Sequence, residues 1–160
     1  MIILANAYTI PDAVRVLYEL LLERDPSTNI SHRKMPSWRE HQQFAESKPY
    51  RKWYLIQSID QEVISITDGP GGNRYRIRQF VGACYLTRQN EIGIFLFKAH
   101  QGKGYAVEAV NLLITKHKPL KAIPGKRTGR FIANINPANE RSKRLFQKLG
   151  FVHIQETFAL

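Results

Sequence analysis

Cysteine is nearly absent: Cys84 stands alone among 160 residues. A lone thiol excludes an internal disulfide and a cysteine-based zinc cluster, and no metal is expected. A reducing compartment, the cytoplasm, is the natural setting. Long hydrophobic runs are missing as well. Stretches such as Ile92 to Phe97 fall far short of the roughly 20 apolar residues that span a bilayer, so no membrane-spanning segment is expected. Met1 to Tyr8 is apolar but carries neither a basic n-region nor a small-residue cleavage site, so no signal peptide is expected. Hydrophobic residues make up 43% and charged residues 23%, which excludes wholesale disorder. The length suits one domain, 1–160, with a core of useful size.

Acidic residues are the next scarcity. There are 24 Lys and Arg against 13 Asp and Glu, a formal charge of +11. The excess lies in the second half: residues 98–148 hold 12 basic side chains and two acidic ones, Glu108 and Glu140. Such a field favours an anionic partner, whether nucleic acid, a phosphate-rich cofactor or an acidic membrane surface; a solvated basic surface without a partner is the plainer alternative.

The pattern along the chain is that of an α/β protein with a mixed sheet. Strands are expected at 2–8, 53–58, 63–67, 75–86 (with a break near Gln79), 91–97, 131–135 and 151–157. Thr9, Pro11 and Asp12 signal the start of an amphipathic helix over 10–24, with Val14, Leu17, Tyr18 and Leu21 on one face. Ser37 and Glu40 form a capping-box pattern opening a short helix to about Ser47. Asp68 to Asn73 reads as a turn. Helices follow at 104–117 and 140–149, the second ended by Gly150. There is no internal repeat.

The most informative segment is Gln101-Gly102-Lys103-Gly104-Tyr105-Ala106, a glycine-bearing turn between a strand and a helix. The first N–H groups of a helix have no internal partner, and the macrodipole adds partial positive charge, so such a turn suits an anion. Gly102 and Gly104 leave the backbone open to a phosphate, and Lys103 adds a cation. The segment matches neither the Walker pattern nor G-x-G-x-x-G, and taken alone it could merely reverse the chain.

One helix and one strand further on stands Asn139…Ser142…Leu145-Phe146…Gly150-Phe151. With Gln101 to Ala106, which fits a Gln/Arg-x-x-Gly-x-Gly/Ala signature, this pair in this order resembles the GNAT family of acyl-CoA-dependent N-acetyltransferases. The likeness is closest over residues 90–152. It implies a mixed, V-splayed central sheet flanked by helices, with acetyl-CoA in the splay between 91–97 and 131–135. The amides of 101–106 would hold the pyrophosphate, and main-chain groups of Ile94, Phe95, Leu96 and Phe97 would pair with the pantetheine arm. One or more of these amides would polarise the thioester carbonyl. Asn139 would bond the arm, with Ser142 and Phe146 beside it; Asn139 can equally cap its helix.

An amine attacks only once it has lost its proton, so a base is needed. Glu91 resembles the position where some members keep that carboxylate; its alternative is a surface carboxylate at a strand end. Members with a tyrosine on the last helix protonate the leaving thiolate; Phe146 stands there here, which passes the role to Tyr105 or Tyr85 or leaves the thiolate to depart unaided. The stretch containing His32, Trp38 and His41 would shape the acceptor site. It is similar to members acting on nucleotide-linked amino sugars, although Trp38, Phe44 and Trp53 also suit a core. The turn at 68–73, with Arg74, Arg76 and Arg78, would touch the acceptor or a second copy in a homodimer. A basic nucleic-acid-binding module using 98–148 is the alternative function. It ranks lower because the sequence has no helix-turn-helix, zinc-finger or RNA-strand signature.

Overall fold

The computed structural model describes residues 1–25, 34–59, 62–64, 74–76 and 79–155. In chain order these form β1 (Ile2–Asn6), α1 (Ala13–Leu22), α2 (Trp38–Glu46), β2 (Lys52–Ser58), β3 (Glu62–Ile64), β4 (Arg74–Arg76), β5 (Gln79–Leu86), β6 (Ile92–Leu96), a 3-10 turn at Lys98–His100, α3 (Tyr105–Lys116) and α4 (Glu140–Lys148). The main sheet has the order β1-β2-β5-β6 with every neighbouring pair antiparallel, and β3 pairs with β4 separately.

Alternation along the strands divides the core into two layers. Tyr54, Ile56, Cys84, Leu86 and Ile92 face α3, meeting Ala109, Val110 and Leu113, with Phe146 of α4 alongside. Trp53, Leu55 and Ala83 face the other way, onto Ala13, Leu17 and Leu20 of α1 and Ala45 of α2. Leu55, Ile56, Leu86 and Leu113 are fully buried, and each such side chain contributes about 1.5–3 kcal/mol by leaving water.

Local signals succeed where the side chain can reach its backbone partner. Ser37 and Glu40 make the expected capping box, with Ser37 N–H donating to Glu40 Oε2 at 2.7 Å and Glu40 N–H to Ser37 Oγ at 3.3 Å. Thr9 does not cap α1: its hydroxyl donates to Asn6 O at 3.0 Å, and the helix begins at Ala13 after a turn. α4 ends as expected, with Gly150 N–H on Gln147 O and Phe151 N–H on Phe146 O.

Three strand expectations change. The segment 75–86 divides into β4 and β5. The segment 131–135 is not a strand: it meets β6 at one parallel bridge, Glu91 to Ile132. Ile92 N–H donates to Ile132 O at 2.8 Å and Ile132 N–H to Asn90 O at 3.0 Å, and the two segments pair no further among the described residues. Residues 151–155 have no strand partner, and 156–157 lie outside the described residues, as does the turn at 68–73.

Asn90 holds the loop after α3 in place. It is fully buried with φ 66°. Its Nδ2 donates to Leu120 O and Thr128 O, each at 2.8 Å, and its Oδ1 accepts from Leu120 N–H at 2.7 Å. Asn90→Ala leaves three backbone groups without their side-chain partner and puts alanine, which tolerates positive φ less well than asparagine, at φ 66°. The expected loss is about 2–4 kcal/mol of unfolding free energy, read from urea titration.

Candidate active site

The outer edge of β6 is the first element. Thr87 N–H bonds Glu91 O and Phe97 N–H bonds Val81 O, so residues 91, 93, 95 and 97 spend their main-chain groups on β5. Residues 92, 94 and 96 therefore turn outward. The Ile92 N–H is spent on Ile132 O, and Leu96 O accepts from Gln101 Nε2 at 3.0 Å. Among the described residues, the C=O of Ile92, the N–H and C=O of Ile94 and the N–H of Leu96 have no hydrogen-bond partner. Of the four residues expected to line a bound arm, Ile94 and Leu96 present main-chain groups to the gap, whereas Phe95 and Phe97 present theirs to β5.

The second element is the turn into α3. Gln101 N–H is spent on Lys98 O, but the N–H groups of Gly102 through Val107 have no partner among the described residues. Gly102 has φ 79° and Gly104, the N-cap of α3, has φ 82°; a β-carbon on either would meet nothing within 4 Å. The turn therefore presents a row of free amides to open space. Lys103 is exposed beside them. Gln101 also accepts from Arg141 Nη1, so its side chain straps β6 to α4. Asn139 Oδ1 accepts from Ser142 N–H at 3.0 Å and caps α4. Phe146 is 5% exposed and packs edge-on against Phe151, in the core rather than at a surface.

A cavity of ≈ 400 Å³ forms the third element, on the α1–α2 side of the sheet. Leu17, Leu20, Phe44, Trp53 and Phe95 give it apolar walls, and Arg24, Tyr50 and Tyr85 add polar groups. The Tyr50 and Tyr85 rings stack at 4.0 Å and 9°, and the Arg24 guanidinium lies 4.1 Å from the Phe95 ring centre. Burial pushes the Tyr85 hydroxyl up to about 12, helped by the Glu91 charge, and raises Tyr50 as well. Burial likewise draws Arg24 below its ordinary value. Tyr85 lies flat over Gly93, where a β-carbon would stand 2.0 Å from its Cζ. Glu91 precedes β6 on the same side and acts electrostatically on both tyrosines.

The structure thus brings Glu91 and Tyr85 together and leaves Tyr105 apart. The Tyr105 hydroxyl is 3.3 Å from Ser58 Oγ, on the α3 side of the sheet. His41 lines the cavity but is 3% exposed, its Nε2–H donating to Val14 O at 2.9 Å; burial lowers its pKa, as suits a neutral ring that fastens α2 to α1. Trp38 is 40% exposed and stands off the cavity wall, edge-on to Tyr18. His32 lies outside the described residues. Sequence reasoning passed over Arg24, although Leu17, Leu20 and Arg24 share one helical stripe. Among the described residues no group of three metal-ligating side chains exists.

An unpaired strand edge thus runs into a helix N-terminus with free amides, one continuous row of open main-chain groups. The family described as "Acetyltransferase (GNAT) domain" matches residues 6–152, and the chain belongs to it; the protein is an N-acetyltransferase. Solved structures share the fold. A domain from Methanocaldococcus jannaschii superposes with TM-score 0.70 at 21% identity, covering 98% of this chain and 92% of that one. RimL, a ribosomal L7/L12 α-N-protein acetyltransferase in complex with coenzyme A, gives 0.61 at 17%, covering 92% and 77%. The dodecameric spermidine N-acetyltransferase of Vibrio cholerae gives 0.59 at 14%, covering 96% and 81%. No curated protein matches the sequence.

Gly93→Ala would drive the Tyr85 ring off β6. The expected result is a loss of about 1–3 kcal/mol in stability and turnover lowered by at least tenfold; equal turnover in the two proteins shows that Tyr85 has no role in the reaction.

Proposed function

We propose that the protein transfers an acetyl group from acetyl-CoA to a primary amine held in the α1–α2 cavity, by direct attack within one ternary complex. The observation that carries this reading is the continuous row of unpaired main-chain groups, from Ile94 and Leu96 to the amides of 102–107. Acetyl-CoA supplies the activated thioester. The free amides at the N-terminus of α3 bind its pyrophosphate, with Lys103 adding charge. Ile94 and Leu96 hold the pantetheine arm in the manner of an added strand. The Ile94 N–H is placed to polarise the thioester carbonyl. Asn139 caps α4 through its oxygen, which leaves its Nδ2 as the donor toward the arm.

Glu91 takes the proton of the amine, directly or through a water. Tyr85 positions rather than protonates. A phenol held near 12 does not give up its proton to a thiolate, whose own pKa is about 8.5. Its hydroxyl, bonded to that of Tyr50, instead orients the entering amine and donates a hydrogen bond. The thiolate leaves as such, which removes the need for a tyrosine where Phe146 stands. The cavity walls suit an acceptor with an apolar body.

Two substitutions at one position isolate the pyrophosphate contact. Asn and Asp both tolerate positive φ and have the same shape, so Gly104→Asn and Gly104→Asp differ in charge alone. Calorimetry is expected to show coenzyme A binding at least about tenfold weaker to the Asp variant; equal affinities overturn the reading. Glu91→Gln is expected to lower turnover by about 10²-fold or more with coenzyme A affinity unchanged. Unchanged turnover removes Glu91 from the reaction.

A further inference from the structure

The basic excess of the second half divides between the two ends of α3. Lys98, Lys103, Arg141 and Arg144 lie toward the free amides. Lys116, Lys118, Lys121, Lys126, Arg127 and Arg130 lie beyond the other end, roughly 18 Å away along a helix of 12 residues. No phosphate of a ligand seated at 102–107 accounts for this second group. Lys52 at the start of β2, Arg51 just before it and Arg88 just after β5 join it. Arg51 Nη2 donates to Lys118 O at 3.0 Å, and Arg127 donates to Lys121 O at 2.8 Å and to Arg88 O at 3.0 Å. Arg88 in turn donates to Pro49 O.

Three features distinguish this pole from an ordinary solvated surface. Its guanidinium groups are braced by main-chain carbonyls, which fix the arms without neutralising them, and residues 109–139 contain no Asp or Glu. The field is dense enough that, after burial, Lys52, Arg51 and Lys116 each draw the His117 pKa down. The platform is also rigid, since Asn90 fastens both Leu120 and Thr128.

We propose that this pole is a docking surface for the phosphate backbone of a nucleic-acid duplex, separate from the acetyl-transfer site. A protein partner would need apolar or aromatic anchors at the centre of the contact. Here Ile123 is the one exposed large hydrophobic side chain between 116 and 130. A lipid surface would likewise need several apolar side chains to insert. Fixed cations without anchors fit a regular array of phosphates, bound without reading bases.

The test is fluorescence anisotropy on the whole chain with a labelled duplex of about 20 base pairs, as RNA and as DNA, with and without saturating coenzyme A. For about five phosphates contacted, affinity is expected to fall about 10²–10³-fold between about 50 and 200 mM salt. The triple variant Lys118→Gln, Lys121→Gln, Lys126→Gln should reduce the slope by about 3, while its melting temperature and its coenzyme A affinity stay unchanged. The single variant Lys121→Gln, with a slope lower by about 1, repeats the test if the triple variant melts early. Neither duplex binding at low salt overturns the proposal. So does a slope that the variants do not move, or displacement of the duplex by coenzyme A, which would place the phosphates on the 102–107 amides. Equal affinity for vesicles containing phosphatidylserine, or for polyglutamate, also overturns it. Coenzyme A affinity is measured independently of the duplex, so failure here leaves the acetyl-transfer reading standing.

Discussion

One arrangement of hydrogen bonds governs this molecule: β6 is paired along its whole length on one side and at a single point on the other. The bridge at Ile132 takes the Ile92 N–H and then the chain departs, so the next outward-facing backbone groups have no partner among the described residues. A complete sheet would have buried them, and a complete detachment would have left no wall opposite. The free amides at the start of α3 continue the same line. A strand edge and a helix N-terminus, each incomplete by ordinary rules of backbone satisfaction, form one continuous row of open main-chain groups because they are consecutive in the chain, and the proposed acetyl-CoA site rests on that row.

The two sides of the sheet then do different work. On the α3 side, aliphatic packing around Leu113 and Ile56 sets the strand against the helix and so aims the amides. On the α1–α2 side the packing is aromatic and incomplete, leaving a cavity whose polar groups include the raised phenols of Tyr50 and Tyr85 and the guanidinium of Arg24. Gly93 links the two functions. By lacking a β-carbon it lets Tyr85 lie on β6, so the cavity reaches the strand that carries the free edge.

Much of this was legible in the sequence, and for identifiable reasons. The capping box at Ser37, the glycine turn after residue 101 and the end of α4 at Gly150 depend on contacts within six residues, and those were readable. The two-signature order placed the open edge on the correct strand. The missing strands at 131–135 and 151–155 were apolar runs, and composition does not report ladder pairing; Phe131, Ala133 and Phe151 pack against the core without forming strands, while Val152 and Ile154 stay exposed. Tyr105 and Tyr85 were equal in sequence because the choice between them depends on which face of the sheet each occupies. Asn90 carried no local signal, since its three side-chain bonds reach residues 30 and 38 positions away.

The strap made by Gln101 has a consequence for how the protein behaves among its own copies. A strand with open donors and acceptors invites a second strand from a neighbouring molecule, the ordinary route to edge-to-edge aggregation. By occupying the Leu96 carbonyl and tying it to Arg141, Gln101 ends the open stretch at the Leu96 N–H, so that a foreign ladder cannot continue past it. The same side chain that frames a binding slot thus acts as its gatekeeper against self-association.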